Sequence, residues 1–492
     1  MPPYNINNNE NVIIGLEIHC QLTSLKSKLF CGCSANYRGE KPNSLVCPVC
    51  LGLPGSLPVT NRRAIELAVM VSFALKSKIS EKSLFFRKNY YYPDMPKNFQ
   101  ISQYDKSGGI PVATGGSVSF QVDNEEKNVE ILRLQVEEDP AKMVYTGSID
   151  ASHYTLVDYN RAGVTLLEIV TKPVLKSPKE ARAFLQKLRS ILEHLGVSDG
   201  NLEGAMRCDA NISLAGGKRV EVKNISSFKD VARALNFEIT RQRNLLARGK
   251  EVAMETRHWD EVKRVTISLR SKEEEHDYRY FPEPDLVPIV ISKEVMDKIR
   301  VAMPELPDAR CDRFVGEYDL PLYDAGVLTS GKDLADFFEK CIELGVDAKK
   351  VSNWIMTDFL RWLREEDLDV TDTRVTPENL VEMIGLIDDG TISGKIGKSV
   401  LRAMMKTGKS AKEIVGKEGL ARIASEDEIS NLVDRVIKEN PKAVKDAFRN
   451  EKTVNFLVGQ LMRLTRGKAD PVLANKVIHD KLDALKRELE PA

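Results

Sequence analysis

Residues 12–22 read Val-Ile-Ile-Gly-Leu-Glu-Ile-His-Cys-Gln-Leu, an apolar and β-branched run with no turn residue except Gly15. Such a run predicts a buried strand. Side chains alternate across a strand, so Glu17 and His19 project from one face while Leu16 and Ile18 pack on the other. A carboxylate and an imidazole in an apolar setting are costly without compensation. A divalent cation partly held by the carboxylate would supply it, and so would a hydrogen-bonded Glu-His pair.

The anomaly recurs further along the chain. In Val164-Thr165-Leu166-Leu167-Glu168-Ile169-Val170, Glu168 is a lone carboxylate within an apolar strand. In the strand 129–138, alternation sets Arg133, Gln135 and Glu137 on one face and Leu132, Leu134, Val136 and Glu138 on the other, which selects Glu137 over its neighbour as the functional carboxylate. Two buried carboxylates need a shared counter-charge, and one hard cation serves both.

With 492 residues, 42% of them apolar, the chain is expected to form two to four domains. Lys plus Arg and Asp plus Glu number 72 each, so no global field draws it to nucleic acid and any RNA contact is local. The N-terminus Met-Pro-Pro-Tyr-Asn lacks a basic segment followed by an apolar one, and the longest apolar stretch, 64–75, carries Glu66. A soluble cytoplasmic protein without membrane contact is expected. Four of the eight cysteines cluster as Cys31-Gly32-Cys33 and Cys47-Pro48-Val49-Cys50. Two short-spaced pairs can bring four thiolates tetrahedrally onto zinc, a structural site with no open coordination position.

A polar-aromatic stretch, Arg87-Lys88-Asn89-Tyr90-Tyr91-Tyr92-Pro93-Asp94, contains rings and cations suited to stacking a base and holding phosphate, or to covering a core edge. Ser177-Pro178-Lys179-Glu180 is a helix-capping sequence, and Phe184, Leu185, Leu188, Ile191 and Leu192 form the stripe of the helix it starts. Beyond Val290 strand signals give way to helical patterns. From Lys406 onward 18 basic residues face 14 acidic ones, a net of +4, and Arg463, Arg466 and Lys468 surround Gly467. Phosphate contact is compatible with that cluster, as is a solvated helical surface.

Taken in order, Gly-Leu-Glu-Ile-His at 15–19, the cysteine pairs with Leu-Gly-Leu-Pro-Gly-Ser-Leu-Pro at 51–58, and Tyr-Tyr-Pro-Asp-Met-Pro-Lys-Asn-Phe-Gln at 91–100 resemble one family. Val-Glu-Glu-Asp at 136–139, Leu-Val-Asp-Tyr-Asn-Arg-Ala-Gly at 156–163, Arg-Cys-Asp-Ala-Asn at 207–211, His-Asp-Tyr-Arg-Tyr-Phe-Pro-Glu-Pro-Asp at 276–285 and Phe-Leu-Val-Gly-Gln-Leu-Met-Arg at 456–463 extend the match. The family is the B subunit of the tRNA-dependent amidotransferase that converts Glu-tRNA(Gln) to Gln-tRNA(Gln) and Asp-tRNA(Asn) to Asn-tRNA(Asn).

The resemblance implies an α+β protein: a β-rich cradle domain with an added zinc-binding element (1–291), an all-α helical domain (292–405) and a small α-helical YqeY-like tail that binds tRNA (406–492). It implies a ligase in which an A subunit hydrolyses glutamine, a small C subunit completes the heterotrimer, and the B subunit uses ATP to phosphorylate the misacylated side-chain carboxylate before ammonia displaces phosphate. Magnesium is expected at Glu17, His19, Glu137 and Glu168, zinc at Cys31, Cys33, Cys47 and Cys50, and tRNA at Arg463, Arg466 and Lys468. No Walker A loop occurs, so ATP falls to β-domain residues, with Lys142 as a catalytic candidate and Asn160, Arg161, Lys88 and Tyr92 as nucleotide contacts. The chain departs from the family pattern at Gln135, where many relatives have His, at Pro140-Ala141 in place of a commoner Ala-Gly, and at Thr165 in place of a common Pro. A tRNA-binding scaffold without chemistry is the alternative of another class. The archaeal E-type subunit is a third, but it carries a large inserted domain for which 492 residues leave no room.

Overall fold

The computed structural model describes residues 12–145, 152–214, 217–269, 278–423, 425–448, 453–465 and 467–489. Arg466 and the His276-Asp277 pair of the quoted motif lie outside them. The chain forms two compact units, residues 1–309 and 310–492.

The first unit is built on a ten-stranded sheet. Its centre comprises β1 (Val12–Gln21), β2 (Glu125–Glu138), β3 (Thr165–Thr171), β4 (Met206–Leu214) and β5 (Val220–Ile225), ordered β5-β4-β1-β3-β2. Neighbours in this centre are antiparallel. Beyond β5, the strand Glu255–Asp260 pairs in parallel, after a crossover through the helix α3 (Phe228–Ala247). The strand β1 thus lies in the middle of the sheet, which accounts for the apolar residues that alternate with Glu17 and His19.

One face of the sheet is apolar. Leu16, Ile18, Leu134, Val136, Leu167, Ile169, Cys208 and Ala210 are buried there in a core shared with α1 (Arg62–Ala74), α2 (Pro178–His194) and α3. Each helix starts on a side-chain cap: Asn61 accepts from Ala64 N, Ser177 from Glu180 N, and Ser227 from Asp230 N. Gly196, at φ +65°, takes the left-handed turn that follows α2. The stripe expected on α2 is buried from Phe184 to Leu192.

One expected position is corrected. Leu132, assigned by alternation to the apolar face, is 42% exposed. The pairing of β3 with β2 slips between Val170 and Thr171, so that Val170 faces Arg133 and Thr171 faces Ile131. Leu132 is the extra residue of a bulge. Core-facing parity therefore changes from Val129 and Ile131 to Leu134 and Val136.

The helix α4 (Lys293–Val301) contributes Ile299 to the first core, and the expected division after residue 291 falls just before it. The second unit is helical throughout its described residues and has two cores, one from Phe314 to Val415 and one from Ile429 to Leu482. The helix Ala411–Glu418 belongs to the former, through Ile414 and Val415. Trp354 and Trp362 are partly buried against that core.

Candidate active site

The other face of the central sheet is polar, and its register brings the anomalous side chains together. His19 on β1 lies directly opposite Glu168 on β3 and Arg207 on β4, while Glu17 lies opposite Asp209. Glu168 in turn faces Gln135, and Leu166 faces Glu137. Directly opposed residues share a sheet face, so one row crosses four strands. His19 Nε2 lies 3.5 Å from Glu137 Oε1, 3.8 Å from Glu168 Oε2 and 3.8 Å from Glu17 Oε1. Glu137 and Glu168 are buried, whereas Glu17 and His19 keep part of their surface open and form the mouth of the site. Donors around an octahedral cation at roughly 2.1 Å stand about 3 Å apart in cis and about 4.2 Å in trans. Glu17, His19 and Glu168 each offer a ligand atom within 4.8 Å of the other two, a set that suits a hard divalent cation, while Glu137, 3.5 Å from His19, lies outside that mutual set.

Electrostatics agree with that fit. Burial, then the charges of Glu17 and Glu137, raise the Glu168 pKa well above the ordinary carboxylate range, against the opposing pull of Arg133 and Lys88. The cluster therefore lacks a positive charge. Polar contacts fix its geometry: Gln135 Nε2 donates to Glu168 Oε2 at 2.7 Å, Ser102 Oγ donates to Glu137 Oε2 at 3.1 Å, and Arg133 Nε donates to Gln135 Oε1 at 3.1 Å. The amide of Gln135 is thus a donor to the carboxylate row. Arg133 Nη2 lies 3.5 Å from Glu168 Oε1, and its guanidinium sits 5.4 Å from the Tyr104 ring, which stacks on Tyr280.

On the β4 side, the half-buried Asp209 lies beside Lys223, whose ammonium stands 3.4 Å from it and 3.5 Å from Glu221. The buried Asp139 and the half-buried Arg207 form a second group. Asp139 Oδ1 accepts from Arg207 at 2.7 Å, Oδ2 accepts from Gln21 at 2.7 Å, and Arg161 Nε lies 3.7 Å away. Burial opposes its charge, yet Arg207 and Arg161 hold the Asp139 pKa below the usual range. Nothing in the sequence assigns Arg207, Asp209 or Lys223 to a site, although 207–211 carries part of the resemblance. Only their parity could have signalled it, because each shares the face of β1 that carries Glu17.

The other expected residues divide. Glu138 turns away from the cluster, as expected, pairing with Lys97 and accepting from Ile101 N at 2.9 Å. Lys88 lies at the edge of the site, its ammonium 4.8 Å from the centroid of the Tyr278 ring, and Tyr92 is exposed. Lys142 begins a separate two-stranded hairpin and pairs with Glu203 at 3.8 Å rather than with the carboxylate row. Asn160 and Arg161, expected at the nucleotide, are committed elsewhere. Asn160 is fully buried, accepting from Leu45 N and donating to Lys41 O, each at 2.7 Å. Arg161 donates to the carbonyls of Pro140 and Ala141 at 2.8 and 2.7 Å. Both knit loops because backbone groups there have no sheet partner. In the second unit Arg463 is exposed, while the Lys468 ammonium donates to Gly419 O.

The four cysteine sulfurs lie within 4.8 Å of one another. Tetrahedral thiolates at about 2.3 Å from zinc stand roughly 3.8 Å apart, so the two turns are preshaped for such an ion. The hydrogen bond with Cys31, then that from the Cys47 backbone and the charge of Lys28, draw the Cys50 thiol below its ordinary range against the effect of burial.

Residues 12–297 match the family described as GatB/GatE catalytic domain, and residues 336–482 match the GatB domain. The B subunit of the aspartyl/glutamyl-tRNA(Asn/Gln) amidotransferase of Sulfolobus acidocaldarius is 50% identical over 472 residues, covering 96% of this chain and 99% of the relative. The corresponding proteins of Carboxydothermus hydrogenoformans and Thermotoga maritima are 47% and 48% identical over 482 and 480 residues, covering 96% of this chain and 99% and 98% of the relatives. With both family matches in order and near-complete coverage by relatives at this identity, the chain belongs to the family of tRNA-dependent amidotransferase B subunits.

Proposed function

We propose that this chain is the carboxylate-activating subunit of a heteromeric amidotransferase acting in the cytoplasm on Glu-tRNA(Gln), Asp-tRNA(Asn) or both. The observation that carries the reading is the convergence of Glu17, His19 and Glu168, with Glu137 beside His19, from three strands, each buried carboxylate held by a neutral or cationic donor. A side-chain carboxylate is a poor acceptor for ammonia. Attack of its oxygen on the γ-phosphorus of ATP releases ADP and gives an acyl phosphate; ammonia then adds at the acyl carbon, phosphate leaves, and a proton is lost.

A magnesium ion held by Glu17, His19, Glu137 and Glu168 would bring the charge that lets phosphate approach this acidic face. Arg133, beside Glu168, orients the carboxylate row through Gln135. Lys88 and the rings of Tyr278 and Tyr90 offer a cationic and aromatic edge suited to nucleotide. Zinc in the four-cysteine centre would be structural. Ammonia is supplied by a glutaminase A subunit, a small C subunit completes the assembly, and the tail unit, with Arg463 exposed, contacts tRNA.

The test is an assay of the purified complex with ATP, glutamine and each misacylated tRNA, using wild type and Glu17→Ala. Loss of amide formation with tRNA binding retained is expected. Unchanged amide formation would assign the chemistry to the partner and leave this chain as a scaffold.

A further inference from the structure

Lys28 is among the largest fully buried side chains of the protein, with no exposed surface. Its ammonium donates to Leu45 O at 2.9 Å, to Tyr159 O at 3.5 Å and to Cys50 Sγ at 3.7 Å, and among the described residues no carboxylate lies within ion-pair distance of it. Burying an ammonium without an anion is strongly unfavourable. The anionic group that can serve here is the sulfur of Cys50. Four thiolates around a divalent ion carry a net charge of −2, and one buried ammonium reduces it to −1 without occupying a coordination position.

The same residue joins three segments. Lys28 N donates to Cys33 O at 3.0 Å, so its backbone holds the first cysteine turn while its side chain holds the second. Its contact with Tyr159 O, together with that of Leu29 N with Gly163 O at 2.9 Å, reaches the loop that enters β3, the strand of Glu168. Asn43 and Asn160 fasten that loop to the cysteine element: Tyr159 N donates to Asn43 Oδ1, and Leu45 N donates to Asn160 Oδ1, both at 2.7 Å. The glycine between them is held by its backbone: a Cβ on Gly163 would meet Cys50 Cβ and Lys28 Cδ at an ordinary 3.6 Å, but its φ of +85° disfavours any other residue.

We propose that Lys28 is the outer counter-ion of the four-cysteine metal centre, a positioning residue that neutralises thiolate charge at Cys50 and locks the bound centre to the loop entering the strand of Glu168. The inference rests on reading the cysteines as a metal centre and is independent of the amide chemistry. Metal occupancy thereby sets the order of residues 157–163, and partners outside the coordination sphere commonly change metal affinity by about 10-fold to 100-fold.

The test uses the full-length chain in its purified complex, with zinc quantified and its release to an excess of chelator followed by a colorimetric indicator. Lys28→Met is expected to release zinc about ten times faster or more and to shift the thiolate-to-metal absorption of the cobalt-loaded protein, with Lys28→Arg intermediate. Wild-type release rate and spectrum in Lys28→Met would overturn the proposal. If Lys28→Met does not fold, hydrogen exchange of the wild type decides: stripping the metal should deprotect 157–163 selectively, and unchanged protection there refutes the coupling. Wild-type protein that binds no zinc or cobalt overturns the metal reading itself, whereas metal retained equally by all three proteins overturns only the role of Lys28.

Discussion

Replacing Glu168 by Gln should make the metal-free protein more stable and the magnesium-loaded protein relatively less so. The substitution keeps an acceptor for Gln135 Nε2 and preserves volume, so its main effect is to remove one buried charge. Glu17 and Glu168 offer ligand atoms within 4.8 Å of each other. At an effective dielectric of about 20, two such charges repel by roughly 3.5 kcal/mol. Arg133 at 3.5 Å from Glu168 returns about 4.7 kcal/mol on the same scale. Glu137 adds a second repulsion, and burial a further cost, leaving a net destabilisation of about 1–3 kcal/mol in the ionised state.

The pH dependence follows from the raised folded pKa of Glu168. The unfolded side chain ionises near 4.3, so wild type loses stability as pH rises from there through the folded value, above which the cost is complete. Glu168→Gln does not share that loss. Urea denaturation without divalent ions should therefore favour the variant at pH 8 and show the two converging toward pH 4. Added magnesium should stabilise wild type by linkage and reverse the order at pH 8. A variant less stable than wild type in chelator at pH 8, or an order insensitive to magnesium, would refute a cation-deficient carboxylate cluster.

Asp139→Ala leaves Arg207 and Arg161 without their buried carboxylate and should cost about 3–5 kcal/mol in denaturant unfolding; Arg207→Ala in the same background should add much less than it does alone. Asn160→Ala removes two loop hydrogen bonds in a fully buried setting, so about 1–3 kcal/mol of stability should be lost while the KM for ATP stays within twofold of wild type. A tenfold rise in that KM would return Asn160 to the nucleotide site. Ser177→Ala should cost about 1 kcal/mol through the cap of α2, and unchanged unfolding would show that Glu180, which accepts from Lys176 N, carries that end by itself.

Much of the site was legible because alternation along a strand is a local property. Glu17 with His19, the choice of Glu137 over Glu138, and the isolation of Glu168 all follow from period two and an apolar setting. Leu132 was misplaced because a bulge is defined by the partner strand, which the sequence of β2 does not contain. Asn160 and Arg161 are expected at the nucleotide only because no Walker A loop occurs and ATP falls to β-domain residues. Their partners at Lys41, Leu45, Pro140 and Ala141 are backbone atoms of other loops. Lys28 carried no signal, since nothing in its flanking residues indicates full burial.

Residue pattern alone determined that a buried strand carries two polar groups on one face, that four cysteines form paired turns, where α2 begins, and, through its motifs, which family the chain resembles. Tertiary structure decided that His19 stands between Glu168 and Arg207, that Glu17 faces Asp209, and that Lys28 lies against Cys50. The physical reason is range. Propensity, capping and parity act over a few residues, whereas the order and register of β1 arise from pairing it with segments more than a hundred residues away, and a one-residue slip in that pairing would turn its carboxylate into the core.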